Sequence, residues 1–478
     1  MKKISSKLLS VILAAFIIFT AAVPSFAADD LLWEHVWNEE HDNGVILFPG
    51  SNNSEMNVSW CSETKSEPKV IVDEGIVIGS GAEEFKGYCV AAPDGDYSNK
   101  VTITDLEPGK TYSYQCVSEG FMSNVYSFKT DVDPNTFSAV YMTDIHTSHD
   151  DANENGIKET AEKFNSTLAE AASRKNISLL LSAGDQASEG YETEYKGYSS
   201  ALALKSFPVA TTIGNHDRKG IAYKTFNNVP NEREDNLVAS YIGGDYWFVK
   251  GDVLFLVMDS NNASGMDHRA FMKSAIKANP DVKWKVMMAH HDLYSGRIPR
   301  RESENELLRM IWGPLCDEFK IDLMLLGHSH YYTVTNVLYN NKTASDYSEM
   351  MTNPAGTVFM VSGSITRPRT DEDLGLNEEW VGYANTPDQR IIYNILDFTK
   401  DSITVSSYYK GEKDAFNKYS IVKTSNEGGH PDRLIPSFFD AFVRFAGTVY
   451  GFFNNIGVYS DLKDDGFDVD FFEVVFNN

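Results

Sequence analysis

The stretch VATTIGNHD, residues 209–217, runs from apolar and β-branched residues through a glycine into three polar side chains. The first part predicts a buried strand, and Gly214 allows the chain to leave that strand sharply. Asn215, His216 and Asp217 would then lie at the carboxyl end of the strand. In an open α/β sheet, this end borders the crevice in which ligands bind.

Four other segments also place polar residues directly after an apolar strand candidate. They are Asp144-Ile145-His146, Gly184-Asp185-Gln186, His290-His291 and Gly327-His328-Ser329-His330. Since the carboxyl ends of the strands line one crevice, these side chains should converge there. One such residue alone is usually a cap or a turn former, whereas five segments together predict a shared site. Carboxylates, an amide and imidazoles suit two divalent or trivalent ions of iron, zinc or manganese. Alternation along an extended segment would point Asp144 and His146 in the same direction.

Strand and helix patterns alternate around these segments, between about residues 134 and 424. The strand candidates are Ala139–Met142, Ile177–Ser182, Val209–Ile213, Val253–Met258, Trp284–Ala289, Ile321–Leu326 and Thr357–Ser362. The clearest helical patterns are Thr160–Arg174, Arg269–Lys277 and Glu304–Phe319, and Gly313-Pro314 could split the last one. Strands so rich in Val, Leu, Ile and Met are typically buried on both faces. This region is therefore predicted to be an α/β domain with helices on the outside.

The upstream region, about residues 31–133, has short alternating strands separated by turns. Examples are Val58–Cys61, Val101–Thr104 and Tyr126–Thr130, with a Leu-Glu-Pro-Gly turn at 106–109. This pattern predicts an all-β sandwich. The region has no cluster of metal ligands, so we expect it to pack against the next domain or to shape a substrate entrance.

Residues 1–27 and 425–478 differ in composition from the two predicted domains. Residues 1–27 are predicted to be a secretion signal of a bacterial type, because lysines precede the apolar run 8–23 and Ser25-Phe26-Ala27 fits a cleavage site. The run is short for a membrane span, so no transmembrane anchor is expected after its removal, and the protein is expected outside the cytoplasm. Residues 425–478 form an aromatic, acidic extension in which Ile435–Ile456 fits an amphipathic helix. That helix would pack on the catalytic domain or contact a cell surface.

The composition narrows the choice of partner. The 478-residue chain has a formal net charge of −26, which argues against a stable nucleic-acid partner. A small phosphorylated substrate remains compatible, because bound metal ions can override the overall charge locally. Of the four cysteines, Cys89 and Cys116 could form a disulfide in an exported protein or remain thiols.

In type and order, the five polar segments resemble those of the calcineurin-like metallophosphoesterase superfamily. The upstream β region, together with Trp284 and Tyr294, is similar to the purple acid phosphatase branch. The run from Leu106 to Tyr114 resembles the corner of fibronectin type III domains. The resemblance covers about residues 45–420. It implies an α/β fold, a four-layer α/β/β/α sandwich, preceded by an all-β fibronectin type III-like sandwich.

The resemblance also implies a role for each polar residue. Seven side chains would bind the metals: Asp144, His146 and His330 the first, Asn215, His290 and His328 the second, and Asp185 both. His216 would protonate the leaving group, and Asp217 would orient His216. His291 would line the substrate side. Ser188 departs from the family, because purple acid phosphatases have a metal-binding tyrosine at that position.

The predicted function is hydrolysis of phosphate monoesters, in which a hydroxide generated at the metal pair attacks phosphorus and His216 acts as general acid. One alternative is a phosphodiesterase or nucleotide pyrophosphatase with the same site. An alternative of another class is a non-catalytic surface-binding or adhesion protein that keeps the same scaffold.

A calcium site is a further prediction from the sequence. Asp151, Asn153, Asn155 and Glu162 follow the spacing of oxygen ligands in a calcium-binding loop. A polar loop that leads into the Thr160 helix explains the same residues equally well.

Overall fold

The computed structural model describes residues 33–39, 43–92, 95–148, 154–233, 243–294, 302–369, 378–385, 389–426 and 428–432. The predicted secretion signal and the predicted helix Ile435–Ile456 lie outside these ranges, so both stay predictions. No described helix combines the length and the apolar character that crossing a membrane requires.

Two antiparallel sheets with one shared core form the upstream region. In spatial order, the first sheet contains Ile46–Pro49, Met56–Ser62, Tyr97–Ile103 and Tyr88–Ala91. The second contains Glu83–Lys86, Lys69–Glu74, Thr111–Ser118 and Phe121–Met122, and Tyr126–Lys129 also pairs with Thr111–Ser118. Val58 and Trp60 of the first sheet share the core with Val70 and Tyr114 of the second. The predicted all-β sandwich is confirmed.

Two seven-stranded sheets form the centre of the downstream region. Sheet I contains, in spatial order, Val209–Thr211, Ile177–Ser182, Phe137–Met142, Ile392–Phe398, Ser402–Tyr409, Asn417–Val422 and Met350–Thr352. Sheet II contains Tyr246–Lys250, Val253–Val257, Trp284–Met288, Leu323–Leu326, Val358–Val361, Thr333–Thr335 and Val381–Ala384. A separate hairpin pairs Val337–Tyr339 with Lys342–Ser345.

Helices cover the outer face of each sheet. The α-helices with described bounds are Glu154–Arg174, Glu192–Ser199, Ala222–Phe226, Gly265–Ala278 and Glu302–Phe319; Leu202–Lys205 and Asp217–Lys219 are 3₁₀ turns, and residues 33–39 are also helical. Leu179 and Leu181 point into the core between the sheets, whereas Leu180 packs with Phe164 and Leu168 of the first helix. Because both faces of the strand are buried, its sequence is apolar throughout. These layers are the α/β/β/α sandwich that the resemblance implied.

The predicted elements are present, with two differences in arrangement. The strand candidates belong to two stacked sheets, and a hydrophobic run does not carry the information about which sheet a strand joins. Helix Glu302–Phe319 continues through Pro314 instead of splitting there. All four cysteines lie in the described part of the chain, and none is in a disulfide.

The β-sandwich contacts the segment that follows Gly214-Asn215-His216-Asp217. Ser59 Oγ and Ser98 Oγ donate to the carbonyl oxygens of Phe226 and Thr225, at 2.6 and 2.5 Å. The buried Lys100 ammonium donates to the carbonyl oxygens of Lys224 and Asn227, at 2.8 and 2.6 Å. The sandwich therefore supports the carboxyl end of helix Ala222–Phe226, the first α-helix after His216.

Candidate metal centre

The five polar segments lie at the carboxyl ends of strands from both sheets. Three of them follow the sheet I strands Phe137–Met142, Ile177–Ser182 and Val209–Thr211. The other two follow the sheet II strands Trp284–Met288 and Leu323–Leu326. Their side chains meet at one edge of the sandwich in two groups of ligand atoms.

The first group comes from Asp144, His146, His330 and Asp185. The Nε2 atoms of His146 and His330 lie 3.3 Å apart. Asp144 Oδ1 lies 3.1 Å from His330 Nε2 and 3.7 Å from His146 Nε2, and Asp185 Oδ2 lies 3.5 Å from His146 Nε2. Two ligand atoms that are each about 2.1 Å from one ion are separated by about 3.0–3.4 Å, so this group fits a metal ion.

The second group comes from Asn215, His290, His328 and Asp185. Asn215 Oδ1 lies 3.1 Å from His290 Nε2 and 2.9 Å from His328 Nδ1, and these two nitrogens are 3.3 Å apart. Asp185 Oδ2 lies 3.3 Å from His290 Nε2. The same Asp185 oxygen therefore faces both groups, as a shared ligand would.

Unsatisfied buried atoms show that these residues suit a cation. Asp144 Oδ1 is fully buried and has no hydrogen-bond donor among the described residues. The outer Nδ1 atoms of His330 and His290 each lie 2.9 Å from a backbone carbonyl oxygen, of Arg367 and Ala183 respectively. Since a carbonyl oxygen only accepts, each Nδ1 carries a proton, and each Nε2 faces the centre, where it can hold either a proton or a metal ion. A metal ion would satisfy these atoms together.

The pKa shifts of the buried carboxylates and imidazoles also indicate that the centre favours a cation. Burial alone would raise the pKa of Asp144, but His330 holds it at about 2. Burial, followed by the charges of His330 and Arg367, lowers the pKa of His146 well below its ordinary value. Burial alone would lower the pKa of His290, yet the carboxylates of Asp185 and Asp144 raise it to about 10. The buried carboxylates therefore favour a positive charge, which a proton or a metal ion can supply.

The backbone of the ligands is unusual. Asp144, His146, Asp185, His328 and His330 have φ values of 53°, 46°, 53°, 73° and 63°. This left-handed conformation costs an L-residue roughly 1–2 kcal/mol, and such strain concentrates at functional sites. Asp144 and His146 do face the same centre, as predicted, but left-handed bends aim them there instead of the extended alternation that was expected.

The glycines of three motifs make room for ligands of other motifs. A Cβ atom at Gly184 would lie 2.4 Å from His290 Nδ1, and one at Gly214 would lie 2.0 Å from Asp185 Oδ1. A Cβ atom at Gly327 would lie 2.7 Å from Asp144 Oδ2. Of these glycines only Gly184, at φ 92°, also needs a left-handed backbone. A left-handed backbone thus explains Gly184, whereas close packing explains all three, including Gly214, at which the sequence predicted a sharp turn.

His216 lies beside the two groups and is only half-buried. Its backbone nitrogen donates to Asp185 Oδ1 at 2.9 Å, and its ring lies edge-on to His146 with 4.8 Å between centroids. Its Nδ1 lies 2.6 Å from the Ser188 carbonyl oxygen, so Nδ1 carries a proton. Nε2 is then the nitrogen that can exchange a proton with a ligand.

Asp217 bonds to groups other than the His216 ring. Its buried carboxylate accepts from the Tyr195 hydroxyl at 2.7 Å and from the backbone nitrogens of Gly214 and Ala187 at 2.8 and 3.1 Å. Burial and the charge of Asp185 raise its pKa to about 7. None of these bonds reaches the His216 ring, which the Ser188 carbonyl orients instead. Asp217 therefore holds two ligand-bearing loops together.

His291 is buried behind the ligands, with 5% of its surface exposed, rather than standing at an open substrate side. Its ring lies 4.7 Å from the ring of His328, and its Nδ1 lies 2.8 Å from Ser260 Oγ. Ser260 Oγ also accepts the backbone N–H groups of His290 and His291, so its single proton points to Nδ1. This arrangement supports the His328 ligand from behind.

Arg367 is a residue of the centre that the sequence did not reveal. Its guanidinium donates to Ser188 Oγ at 3.3 Å, and its charge contributes to the low pKa of His146. It lies in the segment after strand Val358–Val361, and that segment carries no pattern of alternating ligands. Only its contacts with the other segments reveal it.

The calcium loop stays a prediction. Asp151 and Asn153 lie outside the described residues. Asn155 is already in the first turn of helix Glu154–Arg174, and Glu162 is in its interior.

Comparisons with known families agree with this geometry. Residues 138–332 match the family model of the calcineurin-like phosphoesterases, and residues 42–130 match that of the purple acid phosphatase N-terminal domain. The chain therefore has a metallophosphoesterase fold. More particularly, it is purple acid phosphatase-like, with that family's N-terminal β domain ahead of a calcineurin-like phosphoesterase domain.

Two solved structures share the fold. Purple acid phosphatase PPD1 from yellow lupin (Lupinus luteus) seeds is 17% identical, with a TM-score of 0.66 over 82% of this chain and 77% of the lupin chain. PhoD is 14% identical, with a TM-score of 0.52 over 87% of this chain and 98% of the PhoD chain. No curated protein sequence matches the chain.

Proposed function

We propose that this protein hydrolyses phosphate monoesters outside the cytoplasm with two metal ions of iron, zinc or manganese. The convergence of seven ligand side chains in two groups, with Asp185 Oδ2 within 3.5 Å of both, is the observation that carries the proposal. When bound, such a metal pair supplies a nucleophile near neutral pH and neutralises charge on the phosphoryl oxygens. The ligands would be Asp144, His146, His330, Asn215, His290 and His328, together with the shared Asp185.

The protein's own residues account for orientation and proton transfer. Asp185 Oδ2 faces both ligand groups, and Asp185 Oδ1 accepts from the His216 backbone nitrogen. One carboxylate therefore fixes the position of His216, the proposed general acid, relative to the metal centre. The Ser188 carbonyl holds His216 Nδ1 and leaves Nε2 to protonate a departing alkoxide. The Arg367 guanidinium adds a positive charge on the same side, where a phosphoryl oxygen would be stabilised.

The proposal is tested by metal analysis combined with kinetics. The purified protein should hold two metal ions and hydrolyse p-nitrophenyl phosphate faster than bis(p-nitrophenyl) phosphate. His216→Ala should lower kcat by about 10²- to 10⁴-fold while metal content stays unchanged. Asp185→Asn should lose metal and activity together.

Each result has a distinct meaning. A faster diester reaction would replace the monoester proposal by a phosphodiesterase or nucleotide pyrophosphatase. Two bound metals without turnover on either ester would favour a binding or adhesion protein. An equal loss of metal in His216→Ala would remove His216 from its role as acid.

Export is a separate part of the proposal and rests on residues 1–27. Amino-terminal sequencing of protein recovered outside the cytoplasm should give a start just after Ala27. The same preparation, freed of metal, serves for calcium titration by calorimetry. Heat that Asp151→Ala removes would support the calcium loop, and cell binding that deletion of residues 425–478 removes would support a surface role for the extension.

A further inference from the structure

One strand of sheet II ends in polar residues that belong to neither ligand group. Strand Val253–Val257 pairs with Trp284–Met288, the strand that leads to the ligand His290. The loop that follows it, residues 259–262, has the sequence Asp-Ser-Asn-Asn, and we call it the support loop. Three of its four side chains are buried. Buried polar groups need hydrogen-bond partners, so the contacts of this loop indicate what it does.

The Ser260 hydroxyl joins the support loop to two ligands of the second group. Ser260 Oγ accepts from the backbone nitrogens of His290 and His291, at 3.2 and 3.0 Å, and lies 2.8 Å from His291 Nδ1. The His291 ring in turn lies 4.7 Å from the ring of the ligand His328, between centroids. One buried hydroxyl therefore fixes the backbone of His290 and the ring that packs against His328.

Asn261 connects the support loop to the segment that carries Asn215, the third ligand of the second group. Asn261 Nδ2 donates to the Ile213 carbonyl oxygen at 3.1 Å and to Asp259 Oδ1 at 2.8 Å. Asp259 Oδ1 also accepts from the Asn261 backbone nitrogen at 3.0 Å, which holds the amide in one orientation. The support loop thus contacts the surroundings of every ligand that belongs to the second group alone.

A buried imidazole and carboxylate hold the support loop in place. Asp245 Oδ1 accepts from the Asp259 backbone nitrogen at 2.9 Å, and Asp245 Oδ2 lies 2.7 Å from His268 Nδ1. His268 Nε2 lies 2.7 Å from the Asn262 carbonyl oxygen, so the pair bonds to both ends of the loop. Burial would lower the pKa of His268, but the charge of Asp245 raises it, so the ring can donate from both nitrogens.

The first ligand group has a different support. Ser364 Oγ donates to the Asp144 carbonyl oxygen, and Thr366 Oγ1 donates to that of Ile145, both at 2.7 Å. These two hydroxyls lie in the segment after strand Val358–Val361, far along the chain from the support loop. The two groups therefore share Asp185 but depend on separate segments for the rest of their geometry.

We infer that the support loop positions the second metal site alone, so that damage to the loop weakens the binding of one metal ion and leaves the other in place. This inference rests on the metal pair of the proposed function and divides the centre into two sites with independent supports. Contacts that orient a metal ligand contribute about 10- to 100-fold to metal affinity, so the effect is large enough to measure.

Zn²⁺ binding by proteins with a single intact group tests the inference. His146→Ala removes a ligand of the first group only, and Asn215→Ala one of the second group only. In the His146→Ala protein, adding Ser260→Ala should weaken Zn²⁺ binding by about 10- to 100-fold, whereas adding Ser364→Ala should change it by less than about 3-fold. In the Asn215→Ala protein, this order should be reversed. The two serines are matched, because both are buried and each bonds to one ligand segment.

A variant at a half-buried position keeps the test independent of folding. In the otherwise unchanged chain, Asn261→Ala should weaken one of two Zn²⁺ ions by about 10-fold in competition with a chelator, while circular dichroism stays that of wild type. Equal weakening of both ions by the support-loop variants, or no weakening of either, would overturn the inference even if the wild type hydrolyses phosphate esters. Selective weakening in a protein that turns over no phosphate ester would overturn the hydrolase proposal and support the role of the loop.

Discussion

Gly214→Ala should empty the metal centre although it changes no ligand. A Cβ atom there would lie 2.0 Å from Asp185 Oδ1 and 2.3 Å from the Asp185 backbone nitrogen. Non-bonded heavy atoms separate to about 3.5 Å, so Asp185 must move by about 1 Å or more. Gly214 is not among the residues with positive φ, so the alanine adds no backbone strain and the effect is one of space.

The size of the effect follows from what Asp185 contacts. Its Oδ2 lies 3.5 Å from His146 Nε2 and 3.3 Å from His290 Nε2, so a shift of about 1 Å removes it from both groups. Disturbing a contact that orients a single ligand costs about 10- to 100-fold in metal affinity. Since Asp185 Oδ2 faces both groups, an ion held by either group should bind at least that much more weakly. Overpacking should also lower the free energy of unfolding by about 1–3 kcal/mol.

The assay is metal content after equilibration in metal-buffered solution, measured by mass spectrometry. Wild type should retain two ions per chain at free metal concentrations at which Gly214→Ala retains fewer than one. Gly81→Ala is the matched control, because a Cβ atom at Gly81 has no heavy atom within 4 Å. Circular dichroism must show that the variant is folded. A folded Gly214→Ala protein with wild-type metal affinity would refute the reasoning.

Three further predictions concern stability. In a sample with free metal at 100 times Kd, chelation should lower the free energy of unfolding by about 2.7 kcal/mol per ion. Denaturant titration with and without chelator measures this difference. Asp322→Asn should cost about 3–5 kcal/mol at pH 7, because it leaves the buried Lys423 ammonium, 3.0 Å away, without its carboxylate. Burial would raise the pKa of Asp322, but His430 and Lys423 hold it below its usual value. The stability that the Asp322 carboxylate contributes is therefore present above about pH 4 and is lost as the pH falls through the folded-state pKa. Denaturant unfolding of wild type and Asp322→Asn across that pH range checks this. Burial lowers the pKa of Lys100 to about 8, so between pH 8 and 10.5 the unfolded state binds the proton that the folded state has released. The stability of wild type relative to Lys100→Met should therefore rise by about 3 kcal/mol over that interval, and an unchanged difference would contradict it.

Hydrophobic patterning was sufficient for the strands that precede the five polar segments, because burial on both faces leaves a continuous apolar run, but it missed the later strands of sheet I, from Ile392–Phe398 onward. Leu179, Leu180 and Leu181 show this, with two side chains toward the inter-sheet core and one toward a helix. The same run is compatible with one sheet or two, since pairing partners are decided by non-local contacts. The four layers could therefore be expected only from the resemblance to a known family.

The convergence of the candidate ligands was predictable for a similar reason. Each motif follows a strand, and the carboxyl ends of those strands meet, so residue type and position were enough to name seven side chains that converge. The supporting contacts were not predictable. Asp217 bonds to Tyr195 and two loop nitrogens, and His291 bonds to Ser260, through distances that only the folded chain defines. Arg367 lacks any local pattern because its position depends on loop packing.

Ser188 links the sequence departure to the charge of the centre. Its carbonyl oxygen holds His216, and its hydroxyl accepts from Arg367 at 3.3 Å, at the position where the resemblance to purple acid phosphatases would place a metal-binding tyrosine. The first group therefore lacks a phenolate anion and has a guanidinium cation nearby. Both differences weaken the stabilisation of a trivalent ion relative to a divalent one. We expect the metal-loaded protein to hold two divalent ions and to be colourless, and a strong visible absorption band in the metal-loaded wild type would contradict this reasoning about charge.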